Sequence, residues 1–127
     1  ASPGAQLDYY QSLLDKMGRN TIDQFARMYV VPQGGHGLAG RGYNVTGEGK
    51  AVEPKNVPAP NGDDNMELLM NWVENNQAPA KTLVVDPKGK ISDKAEGAGY
   101  LLCSYPNYPK YVNGPADQAS SYISADR

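Results

Sequence analysis

The sequence predicts an α/β fold, and three observations predict it. Leu7, Tyr10, Leu14 and Met17 recur along one face of a helix. The run Phe25–Val31 is apolar and rich in β-forming residues, interrupted only by Arg27. Met66, Leu69, Met70 and Val73 then return to helical spacing. Helix, buried strand, long loop and second helix follow one another with no internal repeat and no internal boundary, so residues 1–127 read as one segment of a single domain.

The first helix opens at Ser2-Pro3, with serine suited to the N-cap and proline to the first helical position. Gly18 closes it, since a helix end favours a residue free to take positive φ. Residues 20–24 fit a single capped turn. Phe25–Val31 does not alternate cleanly, which suits a strand covered on both faces, as in a parallel sheet. Pro32 stops its ladder, having no N–H to donate. From Gln33 to Asp63 no period survives among seven glycines between 34 and 49, then Gly62, Pro54, Pro58 and Pro60. Connections longer than about 15 residues are uncommon in compact domains and are often functional. This one begins at the histidine and is expected to wrap over neighbouring surface.

Asp64 and Glu67 have capping-box spacing and open the second helix, whose expected buried face is Met66, Leu69, Met70 and Val73 with Trp72 beside it. Asn75-Asn76 and Pro79 end it. Thr82–Val85 and Tyr100–Cys103 read as short strands, and Asp86-Pro87-Lys88-Gly89 as a turn. The tail, with Tyr105, Tyr108, Tyr111 and Tyr122 among Pro, Asn and Gly, reads as irregular chain adhering to a larger body through its tyrosines.

Composition bounds the function. Fourteen glycines, ten prolines and a mean hydropathy of -0.61 argue for a small core, or for one completed by other polypeptide. A net charge of -2 without a basic block argues against a nucleic-acid partner, which needs clustered cations to displace counterions. No apolar run approaches the ~20 residues that span a bilayer. Ala1-Ser2-Pro3-Gly4 is neither a signal peptide nor an ordinary start, which suggests processing or a partial chain. The single Cys103 cannot form an internal disulfide, and nothing cationic adjoins it in sequence to make it a nucleophile, so it is expected to be buried and inert. One His and one Cys far apart make no metal site, and no cofactor motif is present.

His36 carries the chemistry. It follows the apolar run and lies between Gly34-Gly35 and Gly37. A strand end is a rigid platform, and α/β sheets place ligands beyond the carboxyl ends of their strands. Flanking glycines clear space for a substrate. Helix, buried strand, glycine-flanked His and helix is the order found at the C-terminal end of an α/β-hydrolase, where the triad runs Ser, then Asp or Glu, then His. By pattern alone, a lone histidine in a glycine-rich loop is more often a solvated or structural residue than a catalytic one. No G-x-S-x-G is present, and no carboxylate stands where it marks itself as the orienting acid. Asn44-Val45-Thr46 is a glycosylation sequon, a triplet common enough to be left unmodified.

Four stretches resemble the C-terminal part of the tannase and feruloyl esterase family of serine esterases. Leu7-Asp8-Tyr9-Tyr10 is similar to its "DYY" helix, and the run from Phe25 to Gly37 to its strand ending in "VPGMGHC". Asn71-Trp72-Val73-Glu74-Asn75 with Ala78-Pro79 resembles "WVE…AP", and Leu102-Cys103-Ser104-Tyr105-Pro106 resembles "LCPYP". The resemblance implies that His36 is the triad base of an esterase acting on aromatic, feruloyl- or galloyl-type esters. It also implies that the acid lies just upstream of Ala1 and the serine much further upstream. The partner is then the remainder of the esterase polypeptide, with its nucleophile, acid and lid, and the location secreted or periplasmic. Asp8 matches the helix motif and not the acid. Two departures stand out. Gly37 replaces a cysteine that relatives bridge to one beside the serine, and Ser124 falls where a partner for Cys103 is expected. The alternative reading is a non-catalytic carbohydrate-binding or docking module that retains an esterase-like sequence.

Overall fold

The computed structural model describes residues 2–32, 44–45, 51–52 and 58–127. Helix α1 spans Pro3–Met17 and α2 spans Arg19–Ile22. Ser2 and Gly18 hold the two cap positions of α1, and the Gly18 N–H donates to the Leu14 carbonyl at 2.8 Å from a φ of 83°. Two-residue strands β1 (Asn44–Val45) and β2 (Ala51–Val52) pair antiparallel. Helix α3 spans Gly62–Asn75. Strands β3 (Thr82–Val85), β4 (Ile91–Ser92) and β5 (Tyr100–Cys103) form a sheet in the order β4-β3-β5, with both pairings antiparallel. Strands β6 (Tyr108–Tyr111) and β7 (Tyr122–Ala125) form a second antiparallel pair, with a 3-10 turn at Ala119–Ser121 before β7. The chain is thus a mixed helix-and-strand structure, as an α/β segment should be. No helix among the described residues is long and apolar enough to cross a membrane.

The three-stranded sheet is the core, and it is covered on both faces. Val84, Leu101 and Cys103 pack with Ala119 and Tyr122 of the tail on one face. Leu83, Val85 and Leu102 pack on the other with Tyr29, Val31, Leu68 and Ile91. Continuous apolar runs at 83–85 and 101–103 reflect this two-sided cover, since successive strand residues point to opposite faces.

The structure corrects four sequence expectations. Phe25–Val31 is not a strand of a parallel sheet. It makes one isolated antiparallel bridge, Tyr29 to Ser104, and leaves Phe25 and Val30 exposed. A ladder needs a neighbour along its length, and the described residues supply one only at the end of β5. The N-cap of α3 is Asn61, whose side chain accepts from the Asp63 N–H at 2.9 Å. Asp64 instead accepts from the Ile91 N–H at 3.0 Å and ties the helix to β4. The expected buried face of α3 is exposed, with Met66 at 56%, Leu69 at 52%, Met70 at 49% and Val73 at 77% of full exposure. The tyrosine-rich tail is not irregular. It forms β6 and β7, where Tyr111 opposes Tyr122 with ring centroids 5.6 Å apart in an edge contact.

Candidate active site

His36 and Gly37 lie outside the described residues, as does Thr46 of the Asn44 sequon. What the structure shows is the platform from which the chain departs toward the histidine. Residues 28–31 run along the end of β5. The Met28 carbonyl accepts from the Tyr105 N–H at 2.8 Å, and Tyr29 bridges Ser104. The Tyr29 hydroxyl donates to the Ala80 carbonyl just before β3. Val31 packs against the Leu83–Val85–Leu102 cluster, so the last turn before Pro32 is anchored on the core. Burial pushes the Tyr29 phenol up to about 12, with Arg27 pulling weakly the other way.

Behind this segment sits a charged clamp. Asp23 faces Lys81 Nζ at 2.6 Å, Arg27 at 3.5 Å and Arg19 at 3.8 Å. The Arg27 guanidinium donates to the Asp23 and Ala26 carbonyls and lies over the Trp72 ring, 5.3 Å from its centroid. Arg27, the one polar break in the apolar run, therefore joins α2, the approach to His36 and α3. Sequence reading passed over Asp23 and Arg27 as chemistry. The signal available was their i,i+4 spacing, shared by Arg19 and Asp23.

A cavity of about 480 Å³ opens where the described chain reaches Pro32. Val30, Pro32, Cys103, Tyr105, Tyr108 and Arg127 contribute to its lining. Its volume falls in the range of small-molecule sites. Cys103 is buried, and burial raises its thiol pKa while contact with the Ser124 side chain lowers it. A raised thiol is a poor nucleophile at neutral pH, and Cys103 is buried, as expected. Ser124 is beside that sulfur and accepts from Asn107 Nδ2 at 3.2 Å. The tyrosine hydroxyls serve packing: Tyr111 donates to Gly114, Tyr122 to Ala116 and Tyr105 to Gln11.

Comparison with known proteins places these motifs in context. The family model described as tannase and feruloyl esterase matches residues 1–125. An uncharacterized esterase, Atu5261, of Agrobacterium fabrum is 31% identical over 126 residues, which cover 98% of this chain and 19% of that protein. A probable feruloyl esterase of Arthroderma benhamiae is 26% identical over 128 residues, covering 97% of this chain and 20% of that protein. The chain thus spans about a fifth of the length of the curated relatives it matches. No solved structure matches it.

Proposed function

The chain belongs to the tannase and feruloyl esterase family, and from that premise we propose that it is the C-terminal portion of an α/β-hydrolase whose triad base is His36. The observation that carries this reading is the match over residues 1–125, within which the only histidine follows an anchored apolar segment and is flanked by glycines. His36 accepts the proton of a serine hydroxyl supplied by the rest of the polypeptide as that oxygen bonds to the ester carbonyl carbon. The tetrahedral intermediate collapses, the carbonyl carbon–alkoxy bond breaks, and His36 protonates the departing alcohol or phenol. Water then repeats the sequence on the acyl-enzyme and releases the acid. The substrate is an aromatic ester of the feruloyl or galloyl type. Without the nucleophile and oxyanion hole this segment alone is inactive. The secreted or periplasmic location and the upstream acid belong to the same proposal.

The test is His36→Ala in the full-length protein assayed on methyl ferulate. Loss of a triad base costs on the order of 10⁴- to 10⁶-fold in kcat. Wild-type turnover by the variant would refute the assignment.

A further inference from the structure

We propose that the outward stripe of α3, formed by Met66, Leu69, Met70 and Val73, is the seat of the nucleophile-bearing remainder of the esterase polypeptide. The proposal rests on the family reading for the identity of the occupant, and on the geometry of α3 for the surface.

The rotational setting of α3 is fixed from its other side. Leu68 packs on the sheet cluster, Asp64 accepts from the Ile91 N–H, and Trp72 lies beneath the Arg27 guanidinium. With about 100° of rotation per residue, Met66, Leu69, Met70 and Val73 fall within an arc of roughly 100°. Leu69 and Val73 lie away from the sheet, and Met66 and Met70 at the edge toward the open groove that α3 forms with Lys90 and Ile91. All four are about half exposed or more, and no charged side chain interrupts them. Asp63, Glu67 and Glu74 line one border of the stripe. The four form a contiguous exposed apolar patch bordered by carboxylates, the kind of surface at which interaction sites are found.

Two observations identify the occupant. Relatives that align along nearly the whole of this chain are about five times its length, so most of such a protein lies outside the aligned segment. The Arg27–Trp72 stack also ties α3 to the segment that leads to His36, where Phe25 and Val30 are themselves exposed. A body seated on α3 is therefore held in a fixed relation to the histidine's approach. Triad chemistry asks this of the part that carries the serine, because the base must meet the nucleophile within hydrogen-bond reach.

The experiment is methionine footprinting of the full-length protein. Hydrogen peroxide is applied to native and urea-unfolded enzyme, and oxidation at Met66 and Met70 is followed by peptide mass spectrometry. The expected result is oxidation about tenfold or more slower in the native protein, independent of protein concentration. Oxidation of both residues at the unfolded rate would overturn the proposal. So would protection that appears only with a concentration-dependent doubling of mass, which would make a second copy the occupant. Unprotected methionines in a protein that His36→Ala inactivates would refute the docking surface alone. Protected methionines with an active His36→Ala enzyme would refute the catalytic reading alone.

Discussion

The β3–β4–β5 sheet and helix α3 are both apolar in sequence, yet they meet opposite fates. Leu83, Val85 and Leu102 are buried by residues of this same chain, from the Tyr29–Val31 segment to Leu68. Met66, Leu69, Met70 and Val73 carry as strong a pattern and remain about half exposed or more. Hydrophobic periodicity states which face wants cover. It does not state which polypeptide supplies it. The sheet finds its cover within this segment, although Tyr29 and Val31 come from more than fifty residues before Leu83, whereas the apolar stripe of the helix stays exposed among the described residues.

The largest effect expected from this contrast is a pair of truncations. Leu102→Ala removes a side chain 3% exposed at the centre of the sheet and should lower unfolding free energy by about 2–5 kcal/mol. Leu69→Ala, on the exposed stripe, should cost less than about 0.5 kcal/mol. Urea unfolding of the 127-residue chain compares the two. Equal costs would break the contrast.

A covalent staple sharpens it from the other direction. Ser124 contacts the sulfur of buried Cys103 across the β5–β7 packing. Ser124→Cys should therefore close a disulfide around the tail and stabilise the sheet by about 3 kcal/mol, as expected for a loop of roughly twenty residues. The check is a higher denaturation midpoint that dithiothreitol abolishes, together with loss of the free thiol. No gain after confirmed oxidation would mean that the two strands do not present bridging geometry.

Much of the sheet side was legible in the sequence, and the reasons are local. Gly18 ends α1 because the chain there needs positive φ. Asp86 organises its turn by accepting from the Lys88 and Lys90 N–H groups at 2.8 and 2.9 Å. The strands at 82–85 and 100–103 stand where their apolar runs put them. The errors arose where the deciding partner is distant. Phe25–Val31 has the composition of a buried strand, but the described residues give it one bridge. Asn61 displaced Asp64 as the cap because Asp64 is engaged by Ile91, twenty-seven residues away. The tail looked irregular because Pro109 and Gly114 break any regular pattern, although cross-strand tyrosines hold it. His36 was legible as a motif, and its position lies outside the described residues.

A backbone contact offers a third and smaller test of how α3 is held. Gly89 has φ of 83°, and a Cβ there would sit 2.4 Å from the Ala59 carbonyl oxygen. Its own carbonyl accepts from the Asn61 N–H at 2.7 Å, which fastens the β3–β4 turn to the start of α3. Gly89→Ala should cost about 1–3 kcal/mol, because the obstructing atom is backbone and the conformation is left-handed. Hydrogen exchange should show the loss concentrated in the first turn of α3 and the β4 strand. A uniform loss would mean that the turn does not set the helix.

The smallest effect is a pH dependence that belongs to the sheet side. Tyr29 and Tyr100 both pack against the Leu83–Val85–Leu102 cluster, and burial pushes both phenols up to about 12 from an ordinary value of 10. Each hydroxyl is also a donor, Tyr29 to Ala80 and Tyr100 to Pro58 at 2.6 Å, and ionisation removes the proton it donates. Above pH 10 the unfolded chain releases these protons while the folded chain retains them. Stability is then falling with pH, since the folded state binds more protons than the unfolded one. The contribution is complete below pH 10 and is lost as pH rises through about 12. Tyr29→Phe should flatten the fall in urea midpoint between pH 10 and 12, and Tyr100→Phe should flatten it further. If Leu69→Ala, on the exposed stripe, changed that slope as much as either phenylalanine, the alkaline sensitivity would not belong to the sheet.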